Sequence, residues 1–211
     1  MLVLTNFYFI VLMTGAERLK IAYILLVYAA LLPGKLAYLL AFASPFAHLQ
    51  SLLLLASLGL ARYSRPLQYA LIKHRIRRKY LMRVVPIVII SSLIFFYFIG
   101  AVVRKASGYM ALYGGLSDVF MILFLLLLAW QVTVDRFRMG VALSPLVVGA
   151  YFLGDDRVNM IAFTLTMYLL LIEGRISHPL VLLLLVYFSV KSIPFVYNIL
   201  AHGNGFDGFL F

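Results

Sequence analysis

The residues able to do chemistry in this chain are few, and they come in short clusters. Gly154-Asp155-Asp156-Arg157-Val158-Asn159 sets two carboxylates, a guanidinium and an amide directly ahead of an apolar run. Gly15-Ala16-Glu17-Arg18-Leu19-Lys20 places an acid beside two bases at the start of another. A guanidinium offers a planar fork that fits phosphate oxygens, and a carboxylate can take a proton from a hydroxyl. Acids also cap and favour helix N-termini, so each cluster has a structural reading beside the chemical one: a capped helix start or an interfacial salt bridge. His48 sits inside the otherwise apolar SPFAHLQSL. A histidine there either packs with a hydrogen bond or orients a proton near neutral pH. Residues 104–115, RKASGYMALYGG, join Arg104 and Lys105 to Tyr109 and Tyr113. Tyrosines with a polar tip suit a sugar face or the membrane interface belt. Lys191 and Asn198 are seven apart and share a helical face, with Tyr197 and His202 close by.

The elements that must carry these side chains are apolar runs. Hydrophobic residues make up 65% of the 211, and the mean hydropathy is +1.06. A soluble domain is about half apolar. The runs fall at 2–14, 19–33, 36–61, 84–103, 117–133, 139–153, 158–172 and 178–200. They are continuous rather than alternating, which disfavours a β-barrel. The expected fold is all-α: a polytopic transmembrane helical bundle of about eight or nine hydrophobic segments, some short or broken, in one transmembrane domain over 1–211. Ser44-Pro45 makes 36–61 either one kinked span or two short helices meeting near His48.

Composition excludes several chemistries. With no cysteine there is no disulfide, thiolate metal site or thiol nucleophile. The four histidines lack the spacing of a helical zinc site, and no serine elbow, P-loop, zincin motif or dinucleotide fingerprint is present. No metal and no tightly bound cofactor are expected. The apolar start, Met1–Met13, has no basic leader or small-residue cleavage site, so it does not read as a cleaved signal peptide.

The net charge of +11 is read as positive-inside bias and attraction to anionic lipid, not nucleic-acid binding. Residues 62–83 with eight of the 18 Lys and Arg and no acid form a basic cytoplasmic loop. Threading outward from it puts 104–115 outside, Asp135, Arg136 and Arg138 inside, Gly154–Arg157 outside, and Glu173 and Arg175 inside. If 36–61 breaks near Pro45, Arg18 and His48 join Arg104, Lys105, Asp155, Asp156, Arg157 and Asn159 on the external face.

At these residues the chain resembles the C-terminal half of Wzy-type O-antigen and exopolysaccharide polymerases, especially the EpsG-like branch. The matching stretches are GAERLKIAYILLVYAALL, SPFAHLQSLLLLASL, GDDRVNMIAFTLTMYLLL and KSIPFVYNILAHGNG. Such proteins carry an arginine opening a helix, a histidine after a second short helix, and a late arginine and asparagine before an apolar helix; here these are Arg18, His48, Arg157 and Asn159. Family members are longer, with more spans before the first arginine. The resemblance implies glycosyl transfer on the external face of a bacterial plasma membrane. The donor is a glycan on undecaprenyl pyrophosphate and the acceptor is the terminal hydroxyl of another lipid-linked repeat. Arg18, Arg157 and Asn159 would hold the pyrophosphate. Glu17, His48, Asp155 or Asp156 would serve as base, and Arg104, Lys105, Tyr109 and Tyr113 would form a substrate loop. Implied partners are the lipid-linked glycan, membrane lipid and other polysaccharide-assembly membrane proteins. Two other readings use the same residues: a transporter or flippase of an anionic lipid-linked substrate, and a non-catalytic subunit or inhibitor of a full-length polymerase.

Overall fold

Helix boundaries here follow from local chemistry. A computed structural model describes residues 4–15, 17–32, 34–48, 50–73, 116–153 and 156–203, with isolated positions at 2 and between 89 and 108. Among the described residues it is all-helical, with eight helices: α1 (Phe7–Gly15), α2 (Glu17–Leu31), α3 (Lys35–Ala47), α4 (Ser51–Lys73), α5 (Leu116–Val132), α6 (Arg136–Leu153), α7 (Asp156–Ile172) and α8 (Pro179–His202). Asn6 opens α1, its side-chain oxygen accepting from the Tyr8 N–H at 3.0 Å. Asp135 opens α6 in the same way, accepting from Arg138 N–H at 3.0 Å. Gly174, at φ 68°, closes α7. Its left-handed turn lets the Arg175 N–H reach the Leu170 carbonyl at 2.8 Å. His178 then caps α8 with Pro179 in its first turn.

Prolines lie inside α3, α4, α6 and α8. Each removes the N–H that would bond the carbonyl four residues back. In two cases the preceding serine fills the gap: Ser44 Oγ donates to Ala41 O at 3.0 Å, and Ser144 Oγ to Val141 O at 2.9 Å. The helix therefore runs through Pro45, and the chain breaks three residues later at His48. Residues 36–61 are two helices. The basic stretch expected as a loop begins as helix, since α4 carries Arg62 and Arg65 through to Lys73; its remainder lies outside the described residues.

The chain groups into two compact units, Met1–Leu52 with Met167–Phe211, and Leu53–Thr166. In the first, α2 packs on α3, and α1 packs on α2 and α8. The buried face of α2 is Leu19, Ala22, Tyr23 and Leu26, at helical spacing. Phe7 meets Phe195 edge-on at 5.4 Å, and Tyr8 meets Phe188 at 4.8 Å. Lys191 places its ammonium 4.6 Å from the Phe7 ring centre, which explains a cation within the last apolar run. In the second unit, α5 packs on α6 through faces that include Ile122, Leu125 and Ala129, and Met139, Leu143 and Leu146. Gly149 lets α4 come close to α6: a Cβ there would lie 2.7 Å from Leu53 Cδ1.

Outward surfaces are also apolar. Phe120, Phe124 and Leu127 on α5 are exposed, as are Leu183, Tyr187, Val190 and Leu200 on α8. Among the described residues α8 is long and apolar enough to cross a membrane. Its 24 residues span about 36 Å against a hydrocarbon thickness near 30 Å. The apolar helices α3, α5 and α7 are shorter, and α1 extends only about 14 Å.

Candidate functional site

The polar cluster with the most definite geometry lies in the second unit, where the starts of α5 and α7 meet. Asn159 is the fourth residue of α7 and is 3% exposed. Its Nδ2 donates to Asp118 Oδ1 at 2.7 Å. Asp118 is in the first turn of α5 and half-buried. The carboxylate fixes the amide orientation, because the amide oxygen facing it would set two acceptors together. That leaves Asn159 Oδ1 buried and without a hydrogen-bond donor among the described residues. A buried acceptor left open costs about 1–3 kcal/mol. Such a group in a native structure calls for a functional or structural reason. Two residues earlier, Arg157 is half-buried. Two helix N-termini bring partial positive charge to the same place, which favours an anion.

Sequence reasoning singled out Arg157 and Asn159 but passed over Asp118. The signal was present: an acid inside an apolar run is expensive and defaults to a functional candidate. Its partner was not legible, because Asp118 and Asn159 are 41 residues apart.

The other expected residues are distributed as follows. Asp156 is the first residue of α7, where an acid suits the helix dipole. Asp155, Lys105, Tyr109 and Tyr113 lie outside the described residues. Arg104 is exposed, its Nε donating to Gly100 O at 3.2 Å. Glu17 and Arg18 are exposed in the first turn of α2, in the first unit. The neighbouring Lys20 caps α1 through a 2.9 Å bond from Nζ to Met13 O. His48 occupies the α3–α4 junction of the first unit. Its Nδ1 accepts from Gln50 N–H at 3.2 Å and its carbonyl accepts from Ser51 N–H at 3.0 Å. The imidazole thus bonds the chain just ahead of α4. Among the described residues no three His, Asp or Glu gather as metal ligands.

Comparison with protein-family models, with curated proteins and with solved structures finds no match.

Proposed function

We propose that this chain is a multi-pass membrane protein of the bacterial polysaccharide polymerase type, transferring a glycan from undecaprenyl pyrophosphate to the terminal hydroxyl of another lipid-linked repeat on the external face of the plasma membrane. The membrane part rests on apolar residues covering both inner and outer helix faces. The observation that carries the site is the part-buried Asp118–Asn159 hydrogen bond, with Arg157 two residues before Asn159 in the chain. In this reading two helix starts, those of α5 and α7, carry a base, an acceptor and a cation for the transfer.

In this reading the acceptor hydroxyl passes its one proton to the Asp118 carboxylate, and a neighbouring hydroxyl of the acceptor sugar donates to Asn159 Oδ1. Its oxygen bonds the anomeric carbon of the donor. The bond from that carbon to the pyrophosphate oxygen breaks, and the electron pair leaves with the pyrophosphate. Arg157 and the helix N-termini hold the charge that develops there. Positive charge fixed beforehand is worth more than charge recruited during the reaction, because the low-dielectric surroundings do not reorganise.

The test is chain extension by the purified protein with lipid-linked oligosaccharide, read as a ladder on a gel. Wild type is expected to give a ladder, and Arg157→Ala and Asp118→Asn are expected to lose it while remaining folded in membrane. Unchanged polymer length in Arg157→Ala overturns the assignment. Donor binding without any ladder in wild type moves it to a carrier of the same anionic lipid.

A further inference from the structure

A second polar feature lies in the same unit, at the other end of α5. Arg65 and Gln68 of α4, Trp130 of α5, Val134 and Asp135 of the turn, and Arg136 and Phe137 of α6 line an open cleft of about 700 Å³. We propose that this cleft binds the phosphate of an anionic membrane lipid at the cytoplasmic surface. The proposal rests on the membrane placement above but not on the polymerase assignment.

The charge and the shape agree. Arg65 and Arg136 come from different helices, and both are exposed. Among the described residues no hydrogen bond or ion pair occupies either guanidinium. Two unoccupied forks on one cleft suit phosphate oxygens, which they can grip pairwise. Asp135 is the one acid in the lining. Its carboxylate is committed to the start of α6, accepting Arg138 N–H at 3.0 Å, and two guanidiniums outweigh it.

A free anion needs only the arginines, whereas this cleft is amphipathic. Trp130, Val134 and Phe137 give it an apolar side. Trp130 and Val134 are exposed, and tryptophan is enriched where headgroups meet hydrocarbon. The exposed Phe124 and Leu127 on the same helix continue that apolar surface away from the cleft. A phosphate attached to acyl chains fits both parts. The sidedness is independent of the geometry: positive-inside threading assigns Arg65 and Arg136 to the cytoplasmic face from sequence, and the fold places them on one cleft.

Trp130 is the sole tryptophan of the chain, so its emission reports on the cleft. The full chain in neutral detergent micelles is titrated with phosphatidylglycerol, with phosphatidylcholine and with inorganic phosphate. Recovery from the membrane fraction only with detergent establishes, separately, the embedding on which the proposal rests. Phosphatidylglycerol is expected to give a saturable change in Trp130 emission that phosphatidylcholine and inorganic phosphate do not. Arg65→Gln with Arg136→Gln should weaken it roughly tenfold or more. Lys35→Gln with Arg175→Gln, which removes two exposed charges elsewhere, should leave it unchanged. Matching emission spectra without lipid identify the variants as folded. Equal weakening in both double variants, an equal response to phosphatidylcholine, or displacement by inorganic phosphate overturns the proposal.

Discussion

At the residue scale, the Asp118–Asn159 pair illustrates how an apolar environment raises the stakes of a single hydrogen bond. The amide is the carboxylate's donor at 2.7 Å; Asn159 is buried and Asp118 half-buried. Asn159→Ala removes that donor and leaves the acid without it. The expected cost is about 1–3 kcal/mol, the range for a hydrogen bond to a charged group or a stranded buried polar group. Asp118→Ala combined with Asn159→Ala should cost less than the sum of the two single changes, because the second deletion no longer strands a partner. Denaturant unfolding in micelles measures both. Strict additivity would mean that the two side chains do not act as a pair. The same residues bound what sequence reading reaches. Asn159 and Arg157 stood out as polar groups opening an apolar helix, whereas the Asp118 contact depends on α5 meeting α7, and nothing in local periodicity specifies that meeting. Similarly, His48 was legible as an exception in an apolar run, but its role at a helix start depends on the break that follows α3.

At the scale of elements, the chain repeats one device. A serine directly before a proline repairs the carbonyl that the proline abandons, at Ser44-Pro45 and at Ser144-Pro145. In water such a carbonyl would find a solvent partner; in hydrocarbon or protein it has only its neighbours. Ser44 is fully buried, so Ser44→Ala should destabilise by about 1 kcal/mol. Adding Pro45→Ala restores an N–H to that turn and should recover much of the loss. A double variant less stable than Ser44→Ala would show that Pro45 contributes something other than the missing bond. Gly149 supplies the complementary case, where absence of a side chain sets the approach of two helices. A methyl at this position presses on Leu53 Cδ1, the end of a side chain that can turn aside. Gly149→Ala should therefore be tolerated, and Gly149→Leu should lower the melting temperature in micelles by overpacking worth about 1–3 kcal/mol. These helices were largely visible as apolar runs, since their buried residues recur at helical spacing. The continuation of α4 through its bases was not: charge density marks a membrane boundary, but it does not end a helix.

At the scale of the molecule, charge distribution and geometry lead to a prediction about sidedness. Helix α5 has Asp118 in its first turn and Trp130 near its end, and its 17 residues extend about 26 Å, close to a hydrocarbon thickness near 30 Å. The two polar features of the second unit lie at those opposite ends. Positive-inside threading independently assigns the first end outside and the second inside. The complete lack of cysteine makes this directly testable, because a single introduced thiol is the only one in the protein. Tyr69 is exposed on α4, in the helix that carries Arg65 and Gln68, and Ser107 is exposed in the stretch assigned outside. In intact spheroplasts a membrane-impermeant maleimide is expected to label Ser107→Cys and to spare Tyr69→Cys. Permeabilisation should then expose Tyr69→Cys. The opposite pattern would invert the threading and place Asp118 and Asn159 on the cytoplasmic side, where an external glycan acceptor could not reach them. Labelling of both thiols in intact spheroplasts would separate the fold from the proposed bilayer placement. The proposed acceptor site and lipid cleft therefore require opposite answers from one experiment, because a single helix carries both ends.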